Sequence, residues 1–84
     1  MPQQGNKLLI VDDNEDMRRY LQQLFNQQYD CLLADSRQQA IELAVAQMPD
    51  LIVVMMPTAD GFELTEQLKN SQATSHIPII LLTA

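Results

Sequence analysis

Lys7-Leu8-Leu9-Ile10-Val11-Asp12-Asp13-Asn14 begins as an unbroken apolar run and ends in two carboxylates and an amide. A short run without polar alternation is what a strand buried on both faces requires. From Asn14 the period changes. Met17, Tyr20, Leu21, Leu24 and Phe25 fall at i, i+3, i+4, i+7 and i+8, one face of a helix. Arg18, Arg19, Gln22 and Gln23 lie opposite, so both arginines read as solvated side chains, with partner docking as the alternative. Asp13 or Asn14 is the natural N-cap, and the acidic first turn suits the helix dipole.

The same alternation continues along the chain. Tyr29 to Ala34 reads as a second strand, and Ser36-Arg37-Gln38-Gln39 has the Ser-x-x-Gln form of a capping box. It opens a helix carrying Ala40, Ile41, Ala44 and Met48 inward, stopped by Pro49-Asp50. Leu51-Ile52-Val53-Val54 is a third strand, wholly apolar and therefore central. Pro57 to Asp60 is expected as a loop, with Asp60-Gly61-Phe62-Glu63 capping a third helix that turns Leu64 and Leu68 inward. A polar connection over 70–76 leads to a fourth strand at Ile77-Pro78-Ile79-Ile80-Leu81-Leu82. The order βαβαβαβ predicts a doubly wound α/β fold, a parallel sheet with right-handed crossovers and helices on both faces. Ligands of such sheets sit at the carboxyl ends of the strands.

That rule selects Asp12 and Asp13 after the first strand, Met55 and Met56 after the third, and Thr83 after the fourth. Adjacent carboxylates at a buried strand end repel, and a hard divalent cation relieves the repulsion. Magnesium suits one or two protein carboxylates with waters and a phosphate. Strand termination and helix capping explain the same two aspartates equally well. The acids of Asp12-Asp13-Asn14-Glu15-Asp16 also partly imitate a calcium loop, but Met17 and Gln23 stand where that loop needs glycine and glutamate.

Composition excludes several function classes. The chain has 84 residues, with 5 basic against 11 acidic side chains and a net charge of −6. No basic stripe exists for nucleic acid or for a membrane surface. Its 2 glycines cannot build a glycine-rich phosphate loop. Cys31 has no partner for a disulfide and reads as a small core residue, while the lone His76 reads as an exposed loop residue. The start of the chain lacks the features of a secretory signal, which predicts a cytoplasmic setting.

Four segments then carry a resemblance. Leu9-Ile10-Val11-Asp12-Asp13-Asn14, Pro49-Asp50-Leu51-Ile52-Val53, Met55-Met56-Pro57 with Asp60-Gly61, and Ile77-Pro78-Ile79-Ile80-Leu81-Leu82-Thr83-Ala84 together resemble the receiver domain of two-component response regulators. The Thr-Ser-His-Ile-Pro stretch at 74–78 is most similar to receivers of hybrid sensor histidine kinases. The resemblance implies the flavodoxin-like receiver fold, with residues 1–6 as a polar leader and 7–84 as the domain. It implies a non-enzymatic signalling module that takes a phosphoryl group from a histidine kinase or histidine phosphotransfer domain. It further implies Mg2+ held by Asp12, Asp13 and the backbone carbonyl of Met55, with the Thr83 hydroxyl contacting the phosphoryl group.

The chain departs from the family where the chemistry is centred. Family members read Asp-Leu-Ile-Val-x-Asp-Val-Met-Met-Pro, whereas this chain reads Asp50-Leu51-Ile52-Val53-Val54-Met55-Met56-Pro57. The segment is two residues short and the phosphoacceptor aspartate, expected between Val53 and Val54, is missing. Counting from Asp50 puts Met55 at the acceptor position; counting from Pro57 puts Val53 there. A deletion of two preserves the facing pattern but is expected to shorten the strand by ~6.6 Å. A minor departure is Arg37, where glycine is common. The family's fifth strand, terminal lysine and flanking helices are also not found before Ala84. Two alternatives follow: a receiver completed by residues beyond those given, or a degenerate pseudo-receiver acting only through protein interaction. Without a fifth strand to cover it, the fourth strand would invite self-association through the open sheet edge.

Overall fold

The computed structural model describes residues 6–82. Seven elements follow in order: β1 (Lys7–Asp12), α1 (Glu15–Phe25), β2 (Asp30–Ala34), α2 (Arg37–Gln47), β3 (Leu51–Met55), α3 (Thr58–Asn70) and β4 (Ile79–Leu81). The strands form one parallel sheet in the order β2-β1-β3-β4. The doubly wound α/β architecture expected from the alternation is therefore present.

Strand alternation sorts the apolar side chains onto two faces. Leu9, Val11, Ile52 and Val54 face α2 and α3, where Ala40, Ala44, Leu64, Leu68 and Ile77 complete the larger core. Leu8, Ile10 and Val53 face α1, which covers them with the half-buried Leu21 and Phe25. The two layers are unequal. No residue of α1 is fully buried, and Tyr20 and Leu24 are 56% and 55% exposed. The five-residue apolar face expected for this helix thus packs only along one edge, because α1 alone lies over this face among the described residues.

Local chemistry explains the boundaries. Asn14 caps α1, its Oδ1 accepting from Met17 N at 3.0 Å. Ser36 caps α2, its Oγ accepting from Gln39 N at 3.2 Å. The returning arm of the box reaches one residue further than expected, since Gln39 Oε1 accepts from Asp35 N at 2.9 Å. Met48 does not turn inward. It closes α2 in the left-handed region at φ 49°, its N–H donating to Ala44 O, and it is 43% exposed.

The expected loop over Pro57 to Asp60 is instead the start of α3. Pro57, at φ −53°, occupies the N-cap, and its carbonyl accepts from Gly61 N at 2.9 Å. Asp60 lies inside the first turn, where its charge favours the dipole, rather than capping the helix. The third strand is paired along its whole length. All five residues of β3 pair with β1, from Leu8↔Leu51 to Asp12↔Met55.

Candidate functional site

Parallel strands carry Asp12 and Met55 to the same end of the sheet and place them side by side in register. Around them lies a cleft of about 420 Å³, lined by Asp12, Asp13, Asn14, Met17, Met55, Met56, Pro57 and Leu82. The sheet's carboxyl edge therefore brings together three of the predicted site residues: Asp12, Asp13 and Met55. Thr83 lies outside the described residues. Leu82, immediately before it, lines the cleft and donates its N–H to Val54 O at 2.8 Å, so the chain runs beside the site up to that point.

The two aspartates differ. Asp12 is 4% exposed, and its Oδ1 accepts from Asn14 N at 2.9 Å. This short-range bond ties the carboxylate into the turn that starts α1. Asp13 is exposed and free to face the cleft. Asn14 performs the cap, and Asp12 and Asp13 line the cleft.

Arg18 was expected on the solvated face. It is half-buried, and its Nη1 donates to the backbone carbonyl of Asp12 at 2.7 Å. A guanidinium four residues beyond the N-cap reaches back over the end of β1 and fixes the turn. The acceptor is a backbone carbonyl six residues back, so no residue type in the sequence marks the contact. Arg19 behaves as expected, pairing with Glu15 at 2.8 Å on an exposed surface.

Residues 15–25 are helical, so no calcium loop forms at Asp12 to Gln23. His76 is exposed, as read from the sequence. Cys31 is half-buried beside the α1 layer; burial, and then the charge of Asp30, push its thiol pKa up. Among the described residues, no group of three His, Cys, Asp or Glu side chains is arranged to hold a metal ion.

The two ways of locating the missing acceptor are distinguishable here. Val53 pairs with Ile10 in mid-sheet and is 8% exposed, within the layer under α1. Met55 pairs with Asp12 and lines the cleft. The position beside the acid pair is therefore occupied by a thioether, which can be neither phosphorylated nor charged.

Comparison with known proteins agrees with this architecture. The phosphate regulon transcriptional regulatory protein PhoB of Pseudomonas aeruginosa is 41% identical over 83 residues, covering 95% of this chain and 36% of that protein. The hybrid signal transduction histidine kinase D of Dictyostelium discoideum is 40% identical over 79 residues, covering 92% of this chain and 5% of that one. The N-terminal domain of a response regulator receiver protein from Methanoculleus marisnigri superposes with a TM-score of 0.86 at 31% identity, covering 93% of this chain and 66% of that chain. The chain thus spans just under two thirds of this solved receiver and a smaller part of either full-length relative. Residues 8–84 match the response regulator receiver domain, and the chain belongs to that family.

Proposed function

We propose that the chain serves a two-component phosphorelay as a receiver module, a signalling part rather than an enzyme, engaging a histidine kinase or histidine phosphotransfer domain in the cytoplasm. The observation that carries this reading is the placement of Asp12 and Asp13 beside the end of β3 in one cleft. Among the described residues no helix is long and apolar enough to cross a membrane. The relatives it resembles include a hybrid signal transduction histidine kinase.

The donor set fits Mg2+, because two carboxylates and a backbone carbonyl leave positions for the waters this ion retains. Asp12, Asp13 and the Met55 carbonyl would hold it. The ion would neutralise charge on a phosphoryl group. Asn14 and Arg18 hold the turn that presents the two acids. A receiver of this design takes a phosphoryl group from phosphohistidine onto a strand-end aspartate, with the Thr83 hydroxyl contacting the group. In the complete protein that acceptor would have to come from residues other than Met55.

The second reading, a pseudo-receiver that docks without being phosphorylated, is favoured by Met55 itself. One experiment tests the second reading and the magnesium assignment. The 84-residue chain is incubated with Mg2+ and a small acyl-phosphate donor, then followed by intact mass and amide chemical shifts. The pseudo-receiver reading requires an unchanged mass, with Mg2+-dependent shifts at 12–14 and 54–56. A stoichiometric, base-labile adduct refutes it. Shifts confined to 70–76 refute the magnesium assignment.

A further inference from the structure

The three arginines of the chain have different settings. Arg19 pairs with Glu15 and Arg37 with Glu63, both on exposed surface. Arg18 is half-buried, and among the described residues no carboxylate lies within ion-pair distance of it. Its Nη1 instead donates to the backbone carbonyl of Asp12 at 2.7 Å. Asp12 is itself 4% exposed, and Asp13 follows it directly. A fixed positive charge therefore stands against the strand end that carries two adjacent carboxylates, although Arg18 is not among the residues lining the cleft. The bond to a neutral carbonyl anchors the guanidinium without neutralising it.

We propose that Arg18 is the resident counter-charge of the acid pair, a specificity-determining residue that steadies Asp12 and Asp13 in the metal-free cleft and holds down the cleft's affinity for a divalent cation. Like charges on neighbouring residues repel, and a fixed guanidinium offsets part of the negative potential they share. The same charge opposes an arriving Mg2+ twice as strongly as it would a monovalent ion. One and two charges ~8 Å apart repel in water by enough to change an affinity about fivefold. A residue that only braced the turn would act in the opposite sense, since loosening the turn weakens binding. The affinity half of this inference rests on the magnesium assignment proposed for the cleft, and the metal-free half does not.

Mg2+ is titrated into the full chain and its variants at ~0.01 M and ~1 M monovalent salt, followed by the amide shifts of 12–14, and urea midpoints are measured without metal. At low salt Arg18→Gln should bind Mg2+ about fivefold more tightly than the parent, with the gap closing at high salt. Arg18→Lys keeps the charge and should stay near the parent. Arg19→Gln removes an equal charge from an exposed ion pair and should leave the affinity within about twofold. Without metal, Arg18→Gln should lower the low-salt urea midpoint, and adding Asp13→Asn should remove about half of that loss or more. A gain below about twofold in Arg18→Gln, or an equal gain in Arg19→Gln or Arg18→Lys, overturns the inference and leaves the magnesium assignment standing. Mg2+ that shifts none of these chains overturns that assignment, and the metal-free coupling then decides the inference alone. A midpoint loss that Asp13→Asn leaves unchanged overturns it in every case. If Arg18→Gln does not melt cooperatively, Arg18→Met, which keeps the packed stem, takes its place under the same criteria.

Discussion

Converting Met55 to aspartate tests whether the register, rather than the count along the chain, defines the site. Neighbouring strands lie ~4.8 Å apart, so Met55→Asp sets a new carboxylate about that far from the backbone of Asp12. Two like charges at this separation repel by about 3.5 kcal/mol at an effective dielectric of ~20 and about 0.9 kcal/mol in water. Loss of a half-buried methionine adds about 1–2 kcal/mol. Without metal the variant should therefore be less stable by about 2–5.5 kcal/mol. Mg2+ reverses the electrostatic part, because a doubly charged ion between the acids attracts each more than they repel one another. Each 1.4 kcal/mol recovered is about tenfold in affinity, so Met55→Asp should bind Mg2+ at least tenfold more tightly than the parent chain.

Urea unfolding with and without Mg2+ reads both quantities, and intact mass after treatment with an acyl-phosphate donor reads phosphorylation. Val53→Asp is the counterpart predicted by counting from Pro57. Its carboxylate would sit beside Leu8 and Ile10 in a layer that is nearly sealed, so it should unfold the chain by several kcal/mol with no recovery in Mg2+. If Val53→Asp gains Mg2+ affinity and Met55→Asp does not, the register-based placement is wrong.

Four further outcomes are expected. A Cβ at Gly61 would lie 2.6 Å from Leu81 Cδ1, so Gly61→Ala combines a helix-propensity gain of about 1 kcal/mol with overpacking of about 1–3. It should be neutral to about 2 kcal/mol destabilising by urea titration, and stabilising once Leu81→Ala has removed the contact. Thr74 is fully buried and its Oγ1 donates to Leu68 O at 2.6 Å, so Thr74→Val should cost about 1–3 kcal/mol by orphaning that carbonyl. The folded state holds the Cys31 proton more tightly than the unfolded chain, so this stabilisation is full below the ordinary thiol pKa and lost as pH climbs through the raised folded value; Cys31→Ala should flatten that part of the alkaline decline in urea midpoints. β4 pairs only with β3 among the described residues and leaves Ile80 and Leu82 45% and 44% exposed, so the 84-residue polypeptide should self-associate in sedimentation, a sharp-melting 9.5 kDa monomer being the contrary result.

The fold was legible wherever pattern and environment coincide. Unbroken apolar runs at Leu8–Val11 and Leu51–Val54 belong to strands covered on both faces, and their lack of alternation is a direct imprint of that burial. The stripe Met17, Tyr20, Leu21, Leu24, Phe25 revealed a helix but not how much of it is covered, because periodicity reports which side faces inward and not what lies there. Pro57 misled for a related reason: proline ends helices and also starts them, and only the carbonyl accepting from Gly61 N decides between the two.

The candidate site was legible in its acids and hidden in its supports. Asp12 and Asp13 stand out as an adjacent pair at a strand end. Arg18 does not, since its role is a bond to a backbone carbonyl, and any residue type offers that acceptor. Thr74 and Lys69 are alike in this respect. Thr74 bonds the Leu68 carbonyl, and Lys69 Nζ reaches Ser75 O and Ile77 O, so a segment that reads as a polar connection is held by side-chain bonds to main chain.

Face parity explains why architecture and chemistry come apart in this chain. Removing two residues from a segment whose side chains alternate with period two leaves each survivor on its original face. Leu51, Val53 and Met55 still meet Leu8, Ile10 and α1, while Ile52, Val54 and Met56 still meet α2 and α3. The core therefore has no cause to reject the shortened segment, and a TM-score of 0.86 to a solved receiver is compatible with it. The cleft has no such tolerance, because its chemistry depends on which side chain ends β3 and not on which face that side chain takes. A carboxylate there would be hard, charged and a potential phosphoacceptor; the thioether of Met55 is soft, neutral and none of these. Similarity of fold thus carries the sheet, the helices and the acid pair, and the identity of residue 55 carries the ligand chemistry.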